Sequence, residues 1–354
     1  MNKQIALVTG APGWVGTRLT RVIAEGLHDA DRFKQGDPDR LIRCLVLPNQ
    51  DTKLLKSIKG RVELVEGDLT KPQSLGKFFS EAKGATLFHC AGVIHPTQGV
   101  KQFYSVNVQG TQNLVEAANK AGVKRLIHVS SNSPIGCNPT TDHRFDESSP
   151  YQPYMNYGKS KMLGEEIVES AGEDGLLETV IIRPPWFYGP DQPPRQTLFF
   201  KMVSDGKAPI VDGGENLRSM VYIDNLCQGL LLAEVTPEAN GQIYWIADEK
   251  PYSMNEIIDT IERLLEMEFG QECTHKRMRL PGFMSEIAQI VDWSLQKLGL
   301  YHPKIHVLSE MNKTIACSVE KAKRELGYDP KVSLEEGMRR SLKWVFDTLG
   351  GLEN

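Results

Sequence analysis

The sequence predicts an α/β fold: a doubly wound parallel sheet with a smaller, mostly helical C-terminal lobe. Three observations predict it. Short apolar runs alternate with helix-patterned segments through the first two thirds of the chain. A glycine-rich turn joins the first apolar run to the first helical segment. After residue 182 the alternation gives way to proline-rich loop chemistry and then to helical patterns. Strands that are apolar throughout, rather than alternating, belong to a parallel sheet covered on both faces. Right-handed crossovers make such a sheet doubly wound.

Taken in order, residues 5–8 are the first strand and residues 14–25 the first helix. The polar stretch 28–40, with Gly36 and Pro38, is a surface loop. Strands follow at 41–47, 62–65 and 86–89, then a helix at 103–121, a strand at 125–130, a helix at 156–170 and a strand at 180–183. Further helices are expected at 254–267, 284–298, 318–326 and 334–349. The nucleotide-binding unit is therefore residues 1–182, with 206–248 returning to it. Residues 183–205 and 249–354 form the substrate lobe.

Composition narrows the function. With 354 residues the chain is one large domain or two modest ones, and 40% hydrophobic with 24% charged residues is ordinary for a globular protein. A net charge of −4 gives no electrostatic reason to expect nucleic acid, and Lys124-Arg125 and Arg339-Arg340 are pairs rather than a basic stripe. The first eight residues do not read as a signal peptide, and no segment approaches the length needed to span a bilayer. The expectation is a cytoplasmic protein with no membrane partner. The cysteines at 44, 90, 137, 227, 273 and 317 form no Cys-x-x-Cys, which argues for a reducing compartment and against a metal site. His89 and His128 end apolar runs and read as structural.

The glycine turn is Thr9-Gly10-Ala11-Pro12-Gly13-Trp14-Val15-Gly16. A lone glycine motif is weak, but this one follows a predicted strand and opens a predicted helix, which is the context that gives it meaning. Gly10 permits the tight turn, Gly13 lets backbone approach a pyrophosphate, and Gly16 lets the helix pack against the strand. The N–H groups of the first turn, at Trp14 and Val15, then face the phosphates. The acidic residue that would hold an adenosine ribose is missing: Val46 and Leu47 stand there, followed by Pro48 and Asn49. No arginine for a 2′-phosphate is evident, so NAD is the expected cofactor with NADP not excluded. Asp68 ends the third strand, and two roles stay open for it: an acceptor for the adenine amino group, or a cap on the next helix.

Tyr157 and Lys161 lie in Tyr157-Gly158-Lys159-Ser160-Lys161, one helical turn apart on the same face. An ammonium near a phenol favours the phenolate. A phenol tuned toward neutrality exchanges a proton with a substrate alcohol while a nicotinamide exchanges a hydride. Two other tyrosines stand nearby, Tyr151 and Tyr154, but the residues four beyond them are Met155 and Gly158, so neither has a lysine on its face.

With these residues in view, the chain resembles the extended short-chain dehydrogenase/reductase family, in its epimerase/dehydratase branch. The resemblance rests on the glycine turn, Gly67-Asp68-Leu69, His89-Cys90-Ala91-Gly92, Asn107-Val108-x-Gly110-Thr111, Ser130-Ser131 and Tyr157-x-x-x-Lys161. It implies a Rossmann domain and an active site in the cleft beside it. It also implies that Ser131 hydrogen-bonds the reacting hydroxyl, that Tyr157 is the acid/base, and that Lys161 binds the nicotinamide ribose and lowers the tyrosine pKa. Leu69, Ala91, Gly92 and Pro184 join the cofactor-binding set by the same resemblance, and a homodimer through the helices near 103–120 and 157–170 is implied.

The residues after Ser131 narrow the reaction. The 4,6-dehydratases of this family carry an Asp-Glu pair where this chain has Asn132 and Ser133, neither of which serves as acid or base. The remaining chemistry is alcohol–ketone redox. The first expectation is a 4-epimerase acting on a nucleotide-diphosphate sugar. Arg218 stands where that branch places an arginine on the diphosphate, and Arg195 is a second candidate. Against it, Trp186 and Phe187 supply apolar stacking surface. The alternative is a dehydrogenase or ketone reductase similar to the 3β-hydroxysteroid dehydrogenases, suggested by Val93-Ile94-His95-Pro96 and the helical lobe. A third expectation is a non-catalytic NAD(P)-binding sensor or scaffold.

Overall fold

The computed structural model describes residues 5–352. The first four residues of the segment read as lacking a signal sequence lie outside them. Seven strands form one parallel sheet: β1 Ala6–Thr9, β2 Leu41–Val46, β3 Arg61–Glu66, β4 Thr86–His89, β5 Arg125–Val129, β6 Glu178–Arg183 and β7 Gln242–Trp245. Their spatial order is β3-β2-β1-β4-β5-β6-β7. The order reverses between β1 and β4, so a crevice opens at the carboxyl ends of those strands. β7 pairs with β6 in the register Gln242↔Val180 to Trp245↔Arg183. The sequence marked no strand there because Gln242-Ile243-Tyr244-Trp245 is short and not uniformly apolar.

The strands explain the two-layer cover. Leu7, Leu87, Leu126 and Ile181 point to one face, against Leu114, Val115 and Ala118. Ala6, Val8, Phe88, Ile127, Val180 and Ile182 point to the other, against Leu19, Val22 and Ile23. Along β1, β4, β5 and β6 alternate residues thus feed opposite cores, and both positions are mostly apolar; edge strand β3 keeps Arg61, Glu63 and Glu66 exposed. Helix α1, Trp14–Glu25, buries Val15, Leu19, Val22 and Ile23 at helical spacing. Helix α2, Gly110–Ala121, is entered through a π-helical stretch, Tyr104–Gln109. Helix α3, Met155–Glu173, carries Tyr157 and Lys161.

Beyond β6 the chain forms α4 Pro194–Ser204, α5 Ile223–Val235, α6 Met254–Phe269, α7 Phe283–Lys297, α8 Pro303–Glu310, α9 Glu320–Leu326 and α10 Leu334–Leu349. The sequence did not mark α4, α5 or α8. α4 and α8 each follow a proline-bearing turn, and α5 is apolar almost all round, so neither gave a helical stripe. α6 and α10 begin at Ser253 and Ser333, whose hydroxyls accept the N–H of Glu256 and Glu336.

One buried ion pair fixes α3 against the sheet. Arg183, at the end of β6, meets Glu165 of α3 at 2.6 Å, with both side chains at 2% exposure or less. The Tyr151 hydroxyl donates to the same carboxylate at 2.8 Å, Ser130 Oγ donates to its other oxygen, and the Arg183 guanidinium lies over the Tyr151 ring. This network joins β5, β6 and α3 directly behind Ser131 and Tyr157.

Candidate active site

The glycine turn leaves no room for side chains. Gly10 has φ 78°, and a Cβ there would lie 2.5 Å from the Cys90 carbonyl carbon. A Cβ on Gly13 would lie 2.6 Å from the Gly10 carbonyl oxygen, and one on Gly16 would lie 2.7 Å from the Ala11 nitrogen. Gly13 is the N-cap of α1 and has no side chain to bond the first-turn N–H groups, and no acidic residue stands in that turn. Backbone donors and a bare surface suit a dinucleotide pyrophosphate. The Trp14 indole turns away from it: its N–H donates to the Pro190 carbonyl at 2.7 Å, and its ring packs on Phe187.

At the adenosine end, Leu47 is exposed and its N–H donates to Gln50 Oε1 at 2.9 Å. Asp68 accepts from the Thr70 N–H at 2.9 Å and the Thr70 hydroxyl at 2.7 Å. Burial opposes ionisation there, but the Thr70 bonds and the Lys71 ammonium hold the carboxyl below its ordinary range. Of its two open roles, turn capping is the one that these contacts make. The Leu69 side chain is buried, and its carbonyl accepts from Asn113 Nδ2 at 2.7 Å.

The reacting end forms where β4, β5 and β6 stop. Lys161 Nζ donates to the Val129 carbonyl at 2.9 Å and lies 3.4 Å from His128 Nε2. Burial pushes this ammonium down to about 8, against the pull of Glu165. Burial pushes the Tyr157 phenol up to about 12. A hydrogen bond from Ser131 opposes that rise, the Glu310 carboxylate adds to it, and the Arg195 charge opposes it. The effect of Lys161 on the Tyr157 pKa belongs to the resemblance; the groups that act on the phenol here are Ser131, Glu310 and Arg195. From the helix face that it shares with Tyr157, Lys161 reaches the last carbonyl of β5. Ser131 accepts from the Ser133 N–H at 3.3 Å.

The neighbouring aromatic and histidine residues are otherwise engaged. Tyr154 bonds Ser309 Oγ at 2.8 Å. His89 bridges Thr9 and Thr111 at 2.8 and 3.0 Å and stacks near His128. Burial holds both imidazoles neutral. Asn107 was noted only as part of a motif. Its amide bonds both backbone groups of Val93 and also Ser160 Oγ, which ties the segment after β4 to the helix of Tyr157.

These groups face a cavity of about 500 Å³. Val15, Ala91, Gly92, Ser131, Tyr157, Lys161, Pro184, Trp186, Arg195 and Arg218 all line it. Gly10, Gly13, Trp14, Gly16, Asp68 and Leu69 do not; they lie along the crevice toward the adenosine end. The rest of the wall is mostly apolar: Ile94 from the segment after β4, and Leu198, Phe199, Met202, Met254, Val307, Met311 and Ile315 from the chain beyond β6. Sequence reasoning missed these residues, since each is one apolar side chain on an element that also packs a core, and nothing local marks it. It missed Glu310 too. Arg218 donates to the Glu310 backbone carbonyl and faces the Glu310 carboxylate, so part of its donor capacity is already taken within the protein. Arg195 stands exposed at the rim on the first turn of α4. His95 bonds the Tyr301 hydroxyl at 2.9 Å, and Phe103 packs against both Tyr301 and Tyr157.

Comparison with known proteins places this arrangement. A family model described as the NAD dependent epimerase/dehydratase family matches residues 6–247. An uncharacterized protein, y4nL of Sinorhizobium fredii, is 51% identical over 97% of this chain and 96% of its own length. A 3beta-hydroxysteroid-dehydrogenase/decarboxylase of Arabidopsis thaliana is 31% identical over 95% of this chain and 78% of its own length. Among solved structures, the dTDP-glucose 4,6-dehydratase DesIV of Streptomyces venezuelae, with NAD and TYD bound, is 25% identical. It superposes with a TM-score of 0.73 over 98% of each chain. A UDP-glucuronic acid 4-epimerase of Bacillus cereus in complex with NAD shares the fold, with a TM-score of 0.73 at 21% identity over 97% of this chain and 99% of that one. The chain belongs to the NAD-dependent epimerase/dehydratase family, a branch of the extended short-chain dehydrogenases/reductases.

Proposed function

We propose that the protein is an NAD-dependent dehydrogenase or ketone reductase acting on a secondary alcohol, or the matching ketone, carried by an apolar ring system. One observation carries this reading. The cavity wall opposite Ser131 and Tyr157 is mostly apolar, and Arg218, the residue best placed for a diphosphate, already bonds Glu310, whose carboxylate would repel that diphosphate. The Arabidopsis relative, named for a 3β-hydroxysteroid reaction, agrees with it.

The glycine turn would hold the NAD pyrophosphate, and Lys161 with the segment Ala91-Gly92 would flank the nicotinamide end. Bound there, NAD takes up or returns a hydride. Ser131 would donate its one hydroxyl hydrogen to the substrate oxygen beside the Tyr157 phenol, and so fix the alcohol against it. Tyr157 takes the hydroxyl proton during oxidation and returns it during reduction. Asn132 and Ser133 line the cavity but supply no acid or base, so chemistry stops at the ketone. The wall of Trp186, Phe199 and Met311 orients an apolar ring by shape and excludes water.

The 4-epimerase reading is second. Arg195 and Arg218 line the same cavity, and the fold is shared with sugar-nucleotide enzymes. It needs the same Ser131 and Tyr157 but a cofactor recycled in place. A sensor or scaffold would not need Ser131 beside the Tyr157 phenol. Residues 1–182 with 206–248 would serve as the cofactor unit, and a homodimer would form through α2 and α3. An assay panel separates the readings: hydroxysteroids and UDP- or dTDP-sugars, each with NAD, followed by NADH absorbance and product analysis. Net NADH with a hydroxysteroid and none with the sugars is expected. An inverted sugar without net NADH would put the epimerase first.

A further inference from the structure

Helix α7 is amphipathic the wrong way round. Its buried face is polar or small: Ser285, Ala288, Asp292 and Gln296. Its solvent face carries Phe283, Ile287, Ile290 and Val291, at 60, 54, 66 and 40% exposure. At 100° per residue these two sets lie on opposite sides of the helix. The polar face makes its bonds inside the protein, although Asp292 Oδ1 is buried without a partner. Asp292 bonds His306 at 2.7 Å, Ser285 Oγ donates to the Leu308 carbonyl at 2.8 Å, and Gln296 Oε1 accepts from the Asn156 side chain at 2.9 Å. The helix is therefore seated as the fold requires, and its apolar face is outward by construction. Trp293, Leu298 and Leu300 extend that face at 50, 77 and 55% exposure.

Charge complements it. The chain carries a net −4, yet the exposed charged side chains between residues 276 and 304 are Lys276, Arg279, Lys297 and Lys304 against Glu286 alone. Lys297 lies 3.7 Å from the Trp293 ring centroid, with its head beside an interfacial aromatic. The surface also continues to the active site. Val307, on the adjoining α8, and Leu198, on α4, are exposed and line the cavity as well.

We infer that α7 and its flanks dock on an anionic lipid bilayer surface, with the helix lying in the interface and the cavity rim facing the lipid. No helix among the described residues is long and apolar enough to cross a membrane, and interfacial seating requires none. An apolar face edged with lysine and arginine, with tryptophan at its border, has the composition of such a seat. Delivery of substrate from the lipid to Tyr157 would follow; that consequence, though not the docking, rests on the apolar-alcohol reading above.

The test uses the full-length protein and vesicles of phosphatidylcholine with phosphatidylglycerol, without substrate, so that it fails separately from the functional reading. Co-sedimentation with the anionic vesicles is expected, weakened by salt and cut about ten-fold or more in Ile290→Glu and in Trp293→Glu. Circular dichroism checks that both variants fold, and Trp293→Phe should remove a blue shift of fluorescence seen on binding. Absence of binding at low ionic strength would overturn the inference. So would binding unchanged by both glutamate variants. A dimer in light scattering that Ile290→Glu splits, with no vesicle binding, would assign the face to a second copy of the chain instead.

Discussion

The two walls of the cavity are built on different principles. On the sheet side, Lys161 is held by a buried hydrogen bond to the Val129 carbonyl, Ser131 stands beside the Tyr157 phenol, and α3 is fixed to the sheet by the Glu165–Arg183 pair. On the lobe side, mostly single apolar residues from α4, α6, α8 and the segment after it face the same space, with Arg195, Gln196 and Glu310 among them. Directional bonds fix the position of a reacting proton, and an apolar wall fixes only shape and dryness. The chemistry is therefore rigid and the choice of substrate is adaptable. Substitutions on the two walls should accordingly fall on different kinetic constants.

The largest effect expected is on the sheet side. Tyr157→Phe removes the proton acceptor and should lower kcat by about 10²–10⁴-fold, with NAD binding retained in a calorimetric titration. A comparable kcat in that variant would end the division between the walls. Next, Glu165→Ala leaves Arg183 charged and buried, with 2% of its side chain exposed. It should cost about 3–5 kcal/mol in denaturant unfolding, although Glu165 touches no substrate. Ser131→Ala removes the hydrogen bond proposed to the reacting oxygen. A loss of about 1.5–3 kcal/mol in kcat/KM is expected, carried mainly by kcat.

On the lobe side, Trp186→Ala should raise KM for an apolar substrate by about 1–3 kcal/mol and leave kcat nearly unchanged. A fall in kcat alone would place Trp186 with the chemistry and blur the comparison. The smallest effect joins the walls. The Arg195 charge, at the rim, lowers the Tyr157 pKa, so Arg195→Met should raise it further. Oxidation needs the deprotonated phenol, so the rising limb of its pH–rate profile should move to higher pH. A profile that stays in place would separate Arg195 from the reacting centre.

The same contrast decides what the sequence made legible. The sheet side was readable because its residues are local in sequence: a glycine turn between a strand and a helix, and a tyrosine one helical turn from a lysine. Six of the seven strands were readable, the central ones as apolar runs because alternate residues feed two cores, and β3 from Val62, Leu64 and Val65. The seventh, Gln242–Trp245, was not, being short and edged with a polar residue. The lobe wall was illegible for another reason. Met254, Val307, Met311 and Ile315 meet only in the folded chain, and each reads in sequence as ordinary core. Glu310 could not be foreseen as the partner of Arg218 from a separation of 92 residues. Nor could Lys161 be seen to turn to the Val129 carbonyl, because helix spacing fixes where side chains start and not where their heads end.

The most direct test follows the hydride. A substrate alcohol deuterated at its carbinol carbon, a 3β-hydroxysteroid in one reaction and a UDP-sugar in another, is incubated with the protein and NAD, and the products are examined by mass spectrometry. The account predicts deuterium in released reduced cofactor, with one ketone formed for each label transferred from the steroid and none from the sugar. Deuterium kept on a sugar whose C4 centre has inverted, with no label in free cofactor, would contradict it.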